Sequence, residues 1–483
     1  MTMNDKPPYR VPSMAEVAGI PCNGFAVAST FAGCGGSCLG YCMAGFRVLW
    51  ANEFIPAARE TYQANHPDAI LDPRDIRQVQ PEDILNATGL KAGELDVLDG
   101  SPPCASFSTA GKREAGWGKV KEYSDTRQRT DDLFFEYARL VKSVRPKVFV
   151  AENVSGLVKG KAKGYFLDIL AALKACGFRV KAKLLDAQWL GVPQVRQRII
   201  FVGVRDDLGL EPAFPAPLPY RYSVREAIPW MVRQGDNGCF GAGALRDAST
   251  PSPTVGAGPN AGNGRAPASL VEAEVRVVHT PGGLGGTRHD GRPGNLIDSP
   301  APTVCAGTHG SVPHQFHIER VPVRVIHETG GRREYCRGDV TDRPCAPVVA
   351  SAASIKHYQV EEAVVEGSGL GDYAIGEEWD RLRPGQKSKR YLNLVKPDDA
   401  GPCPTVTAAG GNASAASVTH PVERRKFTIA ELKRICAFPD DFVLTGTYAQ
   451  QWERLGRAVP PLMMRAVAEA VRDRILVPLQ NRG

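Results

Sequence analysis

Three short stretches of the 483-residue chain hold side chains suited to covalent catalysis. In Gly100-Ser-Pro-Pro-Cys-Ala-Ser-Phe-Ser108, two consecutive prolines keep the backbone extended and present Cys104 rigidly beyond an apolar run. A cysteine at a strand's carboxyl end, with helix-initiating residues after it, is favoured as a thiolate nucleophile. Glu152-Asn-Val154 closes a second apolar run, Val148–Ala151, and a buried acid there is placed to supply a proton. Gln194-Val-Arg-Gln-Arg198 precedes a third run. Strand alternation sends Arg196 and Arg198 to one side, where guanidinium forks suit a phosphate or a carbonyl oxygen. Each group has a plainer alternative: a buried structural cysteine, a helix-capping acid, an edge-strand charge cluster.

A second set suggests an adenosine-bearing ligand. Phe31-Ala-Gly-Cys-Gly-Gly36 follows the first apolar run directly, and small residues there allow close approach to the backbone at a helix N-terminus. The dinucleotide fingerprint G-x-G-x-x-G fails, because its third glycine position is Cys38. Glu53, just past the second run, is placed to accept hydrogen bonds from a ribose.

The elements that must carry these residues alternate. Short apolar runs at Phe25–Phe31, Phe46–Ala51, Leu95–Leu98, Val148–Ala151 and Arg198–Gly203 are separated by amphipathic stretches, of which Asp131–Val144 has helical spacing. This pattern predicts an α/β fold with a doubly wound sheet, whose ligands bind beyond the carboxyl ends of the strands. Residues 211–420 differ, holding 27 of the 50 glycines and 21 of the 38 prolines. A motif recurs there: Pro251–Gly258, Pro300–Gly307 and Pro402–Ala409 each contain Pro-Thr-Val, with a looser copy at Pro344–Ala350. The spacing is too uneven for a tight solenoid and suggests turn-then-strand units in a β-rich insertion. Helical signals return after Pro421, beginning with the capping sequence Thr428-Ile-Ala-Glu431. The expected domains are therefore 1–210, an insertion over 211–420, and a C-terminal piece over 421–483 that completes the first.

Composition closes off other classes. Hydrophobic residues make up 43% and charged residues 23%, so the chain is neither disordered nor fibrous. The net charge of +7 permits a polyanionic partner without demanding one. Residues 211–420 are nearly neutral, and only Arg381–Lys396, with six basic residues, is concentrated enough to track phosphates. No membrane-length apolar stretch and no secretory leader are visible, so a cytoplasmic protein with 12 reduced cysteines is expected. Cys34, Cys38 and Cys42 read as small buried side chains and His314-x-x-His317 as a loop pair; no metal site is expected.

In this order, Pro102-Pro103-Cys104, Glu152-Asn153-Val154 and Gln194-x-Arg196-x-Arg198 resemble the cytosine-5 methyltransferase family, over residues 24–205 and 421–483. The resemblance implies a Rossmann-like fold that binds S-adenosyl-L-methionine, with Phe31, Gly33, Gly35 and Gly36 in the glycine loop. It places Glu53 in the second motif, Asp75 and Ile76 in the third, and Pro103 and Leu133 against the cofactor. Gly456-Arg-Ala-Val-Pro-Pro461 is similar to the family's last motif, assigning Arg457 and Val459 to the cofactor pocket, and Arg425–Phe442 resembles the one before it. Three positions depart from the pattern. Ser29 stands for an acid, Ala105 for a glutamine and Arg457 for an asparagine; the last should change the contact at the cofactor's methionine end.

The implied activity is sequence-specific methylation of double-stranded DNA at carbon 5 of a flipped-out cytosine. Cys104, Glu152, Arg198 and Arg196 would be catalytic and Asn153 would position the Pro103 loop. The insertion would be the target-recognition domain, and a bacterial or phage modification enzyme, with or without a partner endonuclease, is the expected setting. The alternatives are the same chemistry on tRNA, a catalytically silent DNA-binding relative, and a cysteine hydrolase, which lacks a histidine partner near any strand end.

Overall fold

The computed structural model describes residues 6–103, 132–158, 162–229, 231, 369–370, 374–412 and 415–482. It also describes the backbone of seven short strand segments between them: 121–123, 126–128, 276–281, 314–319, 324–329, 332–335 and 359–361. Cys104, Ala105 and the first three copies of the Pro-Thr-Val motif lie outside the described residues.

Seven strands form the central sheet: β1 (Ala26–Thr30), β2 (Arg47–Asn52), β3 (Ile70–Asp72), β4 (Val97–Gly100), β5 (Val148–Val154), β6 (Phe178–Asp186) and β7 (Gln197–Arg205). Their order is β3-β2-β1-β4-β5-β7-β6, and only β7 runs antiparallel to its neighbours. Alternation along each strand makes two apolar layers. Val27, Val97, Val148, Val150 and Val202 face helices α1 (Gly36–Met43) and Pro461–Val471, whereas Ala28, Leu98, Phe149 and Phe201 face helices Leu133–Val144 and Ala162–Lys174. At about 1.5–3 kcal/mol for each fully buried large side chain, these layers dominate the stability of the unit.

Sequence order reverses at β1, where the chain passes outward to β2 and β3 and then returns to β4 on β1's other side. A ligand crevice belongs at this reversal. The expected runs all appear, with boundaries moved by a few residues. Two strands had no counterpart in the sequence reading. β3 is three residues long, and β6 alternates lysines and arginine with apolar residues, as an edge strand with one solvated face does.

The chain divides into two compact units, Met1–Met231 with Glu366–Gly483, and Val232–Val365. Residues 211–231 and 366–420, which the sequence assigns to the insertion, thus belong to the first unit. Val224 N–H donates to the Gly401 carbonyl at 2.9 Å, and Arg225 pairs with Asp399 at 2.7 Å. In the second unit, Arg276–Pro281 pairs antiparallel with His314–Glu319, and Arg324–Thr329 lies between Arg332–Tyr335 and Gln359–Glu361. His314 and His317 are strand residues, not the loop pair expected, since Pro313 marks the strand's start rather than a longer turn. Among the described residues, no helix is long and apolar enough to cross a membrane, and no three His, Cys, Asp or Glu side chains are grouped to hold a metal.

Candidate active site

The glycine loop leaves β1 with Phe31 at φ +54° and enters α1 through Gly35 at φ +91°. Two of its glycines have separate reasons. A Cβ on Gly36 would stand 2.4 Å from the Val459 carbonyl oxygen, so this position admits the C-terminal segment against the loop. Gly33, at φ +58°, has no heavy atom of the described residues within 4 Å of where a Cβ would stand. Gly35 lies against the His66 ring. Burial pushes the His66 pKa down to about 4, so the ring is neutral and its Nε2 hydrogen serves the Gly35 carbonyl at 3.2 Å.

Glu53 is buried beside this loop. Its two oxygens accept the Gly33 and Ile55 amide hydrogens, each at 2.7 Å, and burial raises its pKa above the usual carboxylate value. Each oxygen keeps a further lone pair for a ligand hydroxyl. An adenosine-bearing methyl donor fits these residues, with Gly33 open to it and Glu53 at the tip of β2 for the ribose. Asp75 is half-buried and held by both the main-chain and side-chain nitrogens of Arg77, at 3.0 Å, while Ile76 and Leu133 are buried in the same apolar layer. Arg457 is exposed and paired with Glu453 one helical turn away, at 2.7 Å, whereas Val459 is buried.

Across the β4 and β5 tips the motifs converge. Asn153 Nδ2 donates to the Pro102 carbonyl at 3.2 Å, tying the turn that precedes Cys104 to β5; Pro103 beside it is half-buried. Glu152 lies 2.6 Å from the Arg198 guanidinium, both side chains being nearly enclosed. Arg196 behaves differently from Arg198. Fully buried, it donates to the carbonyls of Val406 at 3.2 Å, Gly456 at 3.0 Å and Ala458 at 2.8 Å. Burial, with the neighbouring Arg198 charge second, lowers its pKa to about 9.

Arg196 thus gathers two distant segments behind the site. The last Pro-Thr-Val copy belongs to this clasp: Val195 N–H donates to the Cys403 carbonyl at 2.8 Å, and the Thr405 hydroxyl to the Val195 carbonyl at 2.6 Å. Next to it, Arg425 grips Glu431 with two bonds of 2.7 Å, which fixes the helix Ile429–Ile435. Of the three cysteines near the loop, Cys34 and Cys38 are buried and Cys42 is half-buried. Burial pushes Cys34 and Cys38 up to about 12 and Cys42 to about 11.

The sequence reading missed Asp99. It is buried at the end of β4, where Oδ2 accepts from the Ser29 hydroxyl at 2.9 Å and the Ser37 hydroxyl at 2.8 Å, and Oδ1 accepts from Tyr41 at 3.3 Å. Its signal was an acid inside an otherwise apolar run, Val97-Leu-Asp-Gly100, one residue before the motif used for the nucleophile.

The model of the family "C-5 cytosine-specific DNA methylase" matches residues 17–230 and 352–473, well over half of the chain. The type II methyltransferase M.AgeI of Thalassovita gelatinovora is 27% identical over 92% of this chain and 98% of its own length. M.DdeI of Desulfomicrobium norvegicum is 26% identical over 91% and 87%. M.NgoPII of Neisseria gonorrhoeae reaches 37% identity over 40% of this chain, a match that spans about half (52%) of that relative. A solved prophage-encoded protein of E. coli, assigned as a DNA modification methyltransferase, shares the fold with a TM-score of 0.53 at 18% identity, covering 94% of this chain and 99% of that one. The chain therefore belongs to the C-5 cytosine-specific DNA methylase family and is a DNA (cytosine-5)-methyltransferase.

Proposed function

We propose that this enzyme methylates a flipped-out cytosine within a specific duplex sequence through a transient bond between Cys104 and carbon 6 of the ring. The observation that carries this reading is the Asn153–Pro102 hydrogen bond of 3.2 Å, which holds the turn before Cys104 beside the strand of Glu152. The binding residues for S-adenosylmethionine are Phe31, Gly33, Gly35, Gly36, Glu53, Asp75, Ile76, Pro103, Leu133 and Val459, with Arg457 at the rim.

When bound, S-adenosylmethionine supplies an electrophilic sulfonium methyl group. Cys104 Sγ adds to carbon 6, which breaks the ring's aromaticity and moves electron density to carbon 5. Glu152 stabilises that density by donating a proton or strong hydrogen bond at ring nitrogen 3. Arg198, already against Glu152, holds the ring carbonyl oxygen, and Arg196 fixes the strand from behind. Carbon 5 takes the methyl group, S-adenosylhomocysteine being the leaving product; water then removes the carbon 5 proton, Glu152 takes back the proton at nitrogen 3, and Cys104 is expelled as a thiolate, which restores the ring. A stacked base cannot reach these groups, so the target must leave the helix.

Arg383, Lys387, Lys389 and Arg390 are proposed phosphate contacts, and residues 232–365 the reader of sequence. The relatives are named type II methyltransferases. On that basis the proposed setting is a cytoplasmic modification enzyme paired with a cognate endonuclease, with no metal required.

The test is transfer of labelled methyl from S-adenosylmethionine to unmethylated duplex DNA, with tRNA and Cys104→Ala as parallels. Label at carbon 5 of cytosine in DNA, lost with Cys104→Ala, supports the proposal. Label in DNA that persists with Cys104→Ala overturns the covalent route.

A further inference from the structure

The loop proposed to bind the methyl donor has both of its ends on one carboxylate. Ser29 precedes the loop and Ser37 follows it, and both hydroxyls donate to the same oxygen of Asp99. Tyr41, one turn further along α1, donates to the other oxygen. Thr30 Oγ1 bonds the Asp99 carbonyl at 3.1 Å, and Ser101 N–H reaches the Thr30 carbonyl at 3.4 Å. Thr30, bonded to the Asp99 main chain, thus meets the start of Ser101-Pro-Pro-Cys104. Among the described residues, the partners of the Asp99 carboxylate are all neutral hydroxyls. A buried charge without a cation is costly, and Asn would be the cheaper residue if only shape mattered.

Position 29, where a carboxylate is expected from the family pattern, is a serine. Its register partner on the neighbouring parallel strand is Asp99 itself. We propose that Asp99 is the positioning residue of the methyl-donor loop, the carboxylate having moved sideways from β1 to β4 while keeping its place under the loop and before the first turn of α1. This rests on the reading of residues 31–36 as the donor-binding loop. The negative group also lies at the amino end of α1, where the helix dipole favours it. The Asp99 side chain thus ties the two ends of the donor loop to β4, the strand that leads on to Cys104.

The test is a carboxylate exchange in the full chain, read by S-adenosylhomocysteine affinity and by amide hydrogen exchange of Gly33–Ser37 in the protein alone. Asp99→Ser should weaken binding by about tenfold or more, equivalent to about 1.4 kcal/mol, and speed amide exchange. Adding Ser29→Asp should restore both to within about threefold, which a loss of general stability would not allow. A double variant that folds but stays as impaired as Asp99→Ser overturns the proposal, as does an Asp99→Ser protein with unchanged binding and exchange. If Asp99→Ser does not fold, Asp99→Asn decides: weakened binding with faster exchange supports it, and unchanged values overturn it. Failure of the unaltered protein to bind S-adenosylhomocysteine overturns the reading of the loop instead, and amide exchange alone then decides on Asp99.

Discussion

Arg198 and Glu152 are diagonal neighbours across antiparallel strands: Arg198 is registered with Val154 and Glu152 with Ile200, yet their side chains meet at 2.6 Å. The pair joins the proposed acid to the proposed carbonyl-holding group in one rigid unit. Arg198→Ala should lower the single-turnover rate by about 10²–10³-fold, the scale of losing one preorganised donor. A rapid-quench methyl-transfer assay with the folded variant reads this directly, and a rate within threefold would remove Arg198 from the mechanism.

Arg196→Met tests the clasp. Carbonyls of Val406, Gly456 and Ala458 would lose their shared donor, and about 2–4 kcal/mol of stability should go with it. Arg196→Lys should not rescue, because a point ammonium cannot fork to separate chain segments. Urea unfolding followed by fluorescence gives both values.

Two glycines of one loop should fail in different ways. Gly36→Ala drives a methyl group to 2.4 Å from the Val459 carbonyl oxygen, a backbone atom that cannot turn aside, so stability should fall by about 1–3 kcal/mol or more. Gly33→Ala meets no atom of the described residues within 4 Å and suffers only the φ +58° penalty of about 1–2 kcal/mol, but its methyl occupies the side of the loop proposed for the donor. Thermal melting should therefore single out Gly36→Ala. Calorimetric titration with S-adenosylhomocysteine should show lost binding in a folded Gly33→Ala protein.

Asp99 also gives the fold a pH signature. Burial raises its pKa to about 6; the hydroxyls of Ser37, Ser29 and Tyr41 oppose the rise, and the nearby Glu152 charge adds to it. An acid whose folded pKa exceeds its unfolded value binds its proton more tightly when folded, so its contribution to stability falls as pH rises from about 4 to about 6. Asp99→Asn removes this dependence. Relative to the unaltered protein, the variant should gain about 2 kcal/mol in unfolding free energy between pH 4 and pH 7. Denaturant titrations at the two pH values measure the difference, and a constant offset would contradict it.

Much of this architecture is legible because local signals agree with it. The Val148–Ala151 run is apolar on both faces because β5 is covered on both, and Asp131–Val144 shows its helical stripe because one side packs on the sheet. Phe178–Asp186 escaped notice because its exposed face carries lysines and an arginine, which breaks the apolar run. The residues proposed for chemistry were legible from motif spacing, but their partners were not. Arg196 and Arg198 look equivalent two positions apart, and only the return of residues 406 and 456–458 separates a clasp from a site residue. Asp99 depends in the same way on Ser29 and Ser37, about 60–70 residues earlier in the chain and brought near by strand pairing.

The close approach of Gly36 to Val459, and of α1 to the helix Pro461–Val471, has a consequence for synthesis on the ribosome. Gly40 would place a Cβ 2.6 Å from that of Met464, so α1 has its covering partner more than 400 residues downstream. At about 5–20 residues per second, roughly 20–90 s pass between the two helices leaving the peptidyl-transfer centre. During that interval Tyr41 and the valines of one sheet face lack their cover, so nascent chains must be shielded. A chain stopped before residue 460 would expose that face permanently, making it a target for chaperones and proteases.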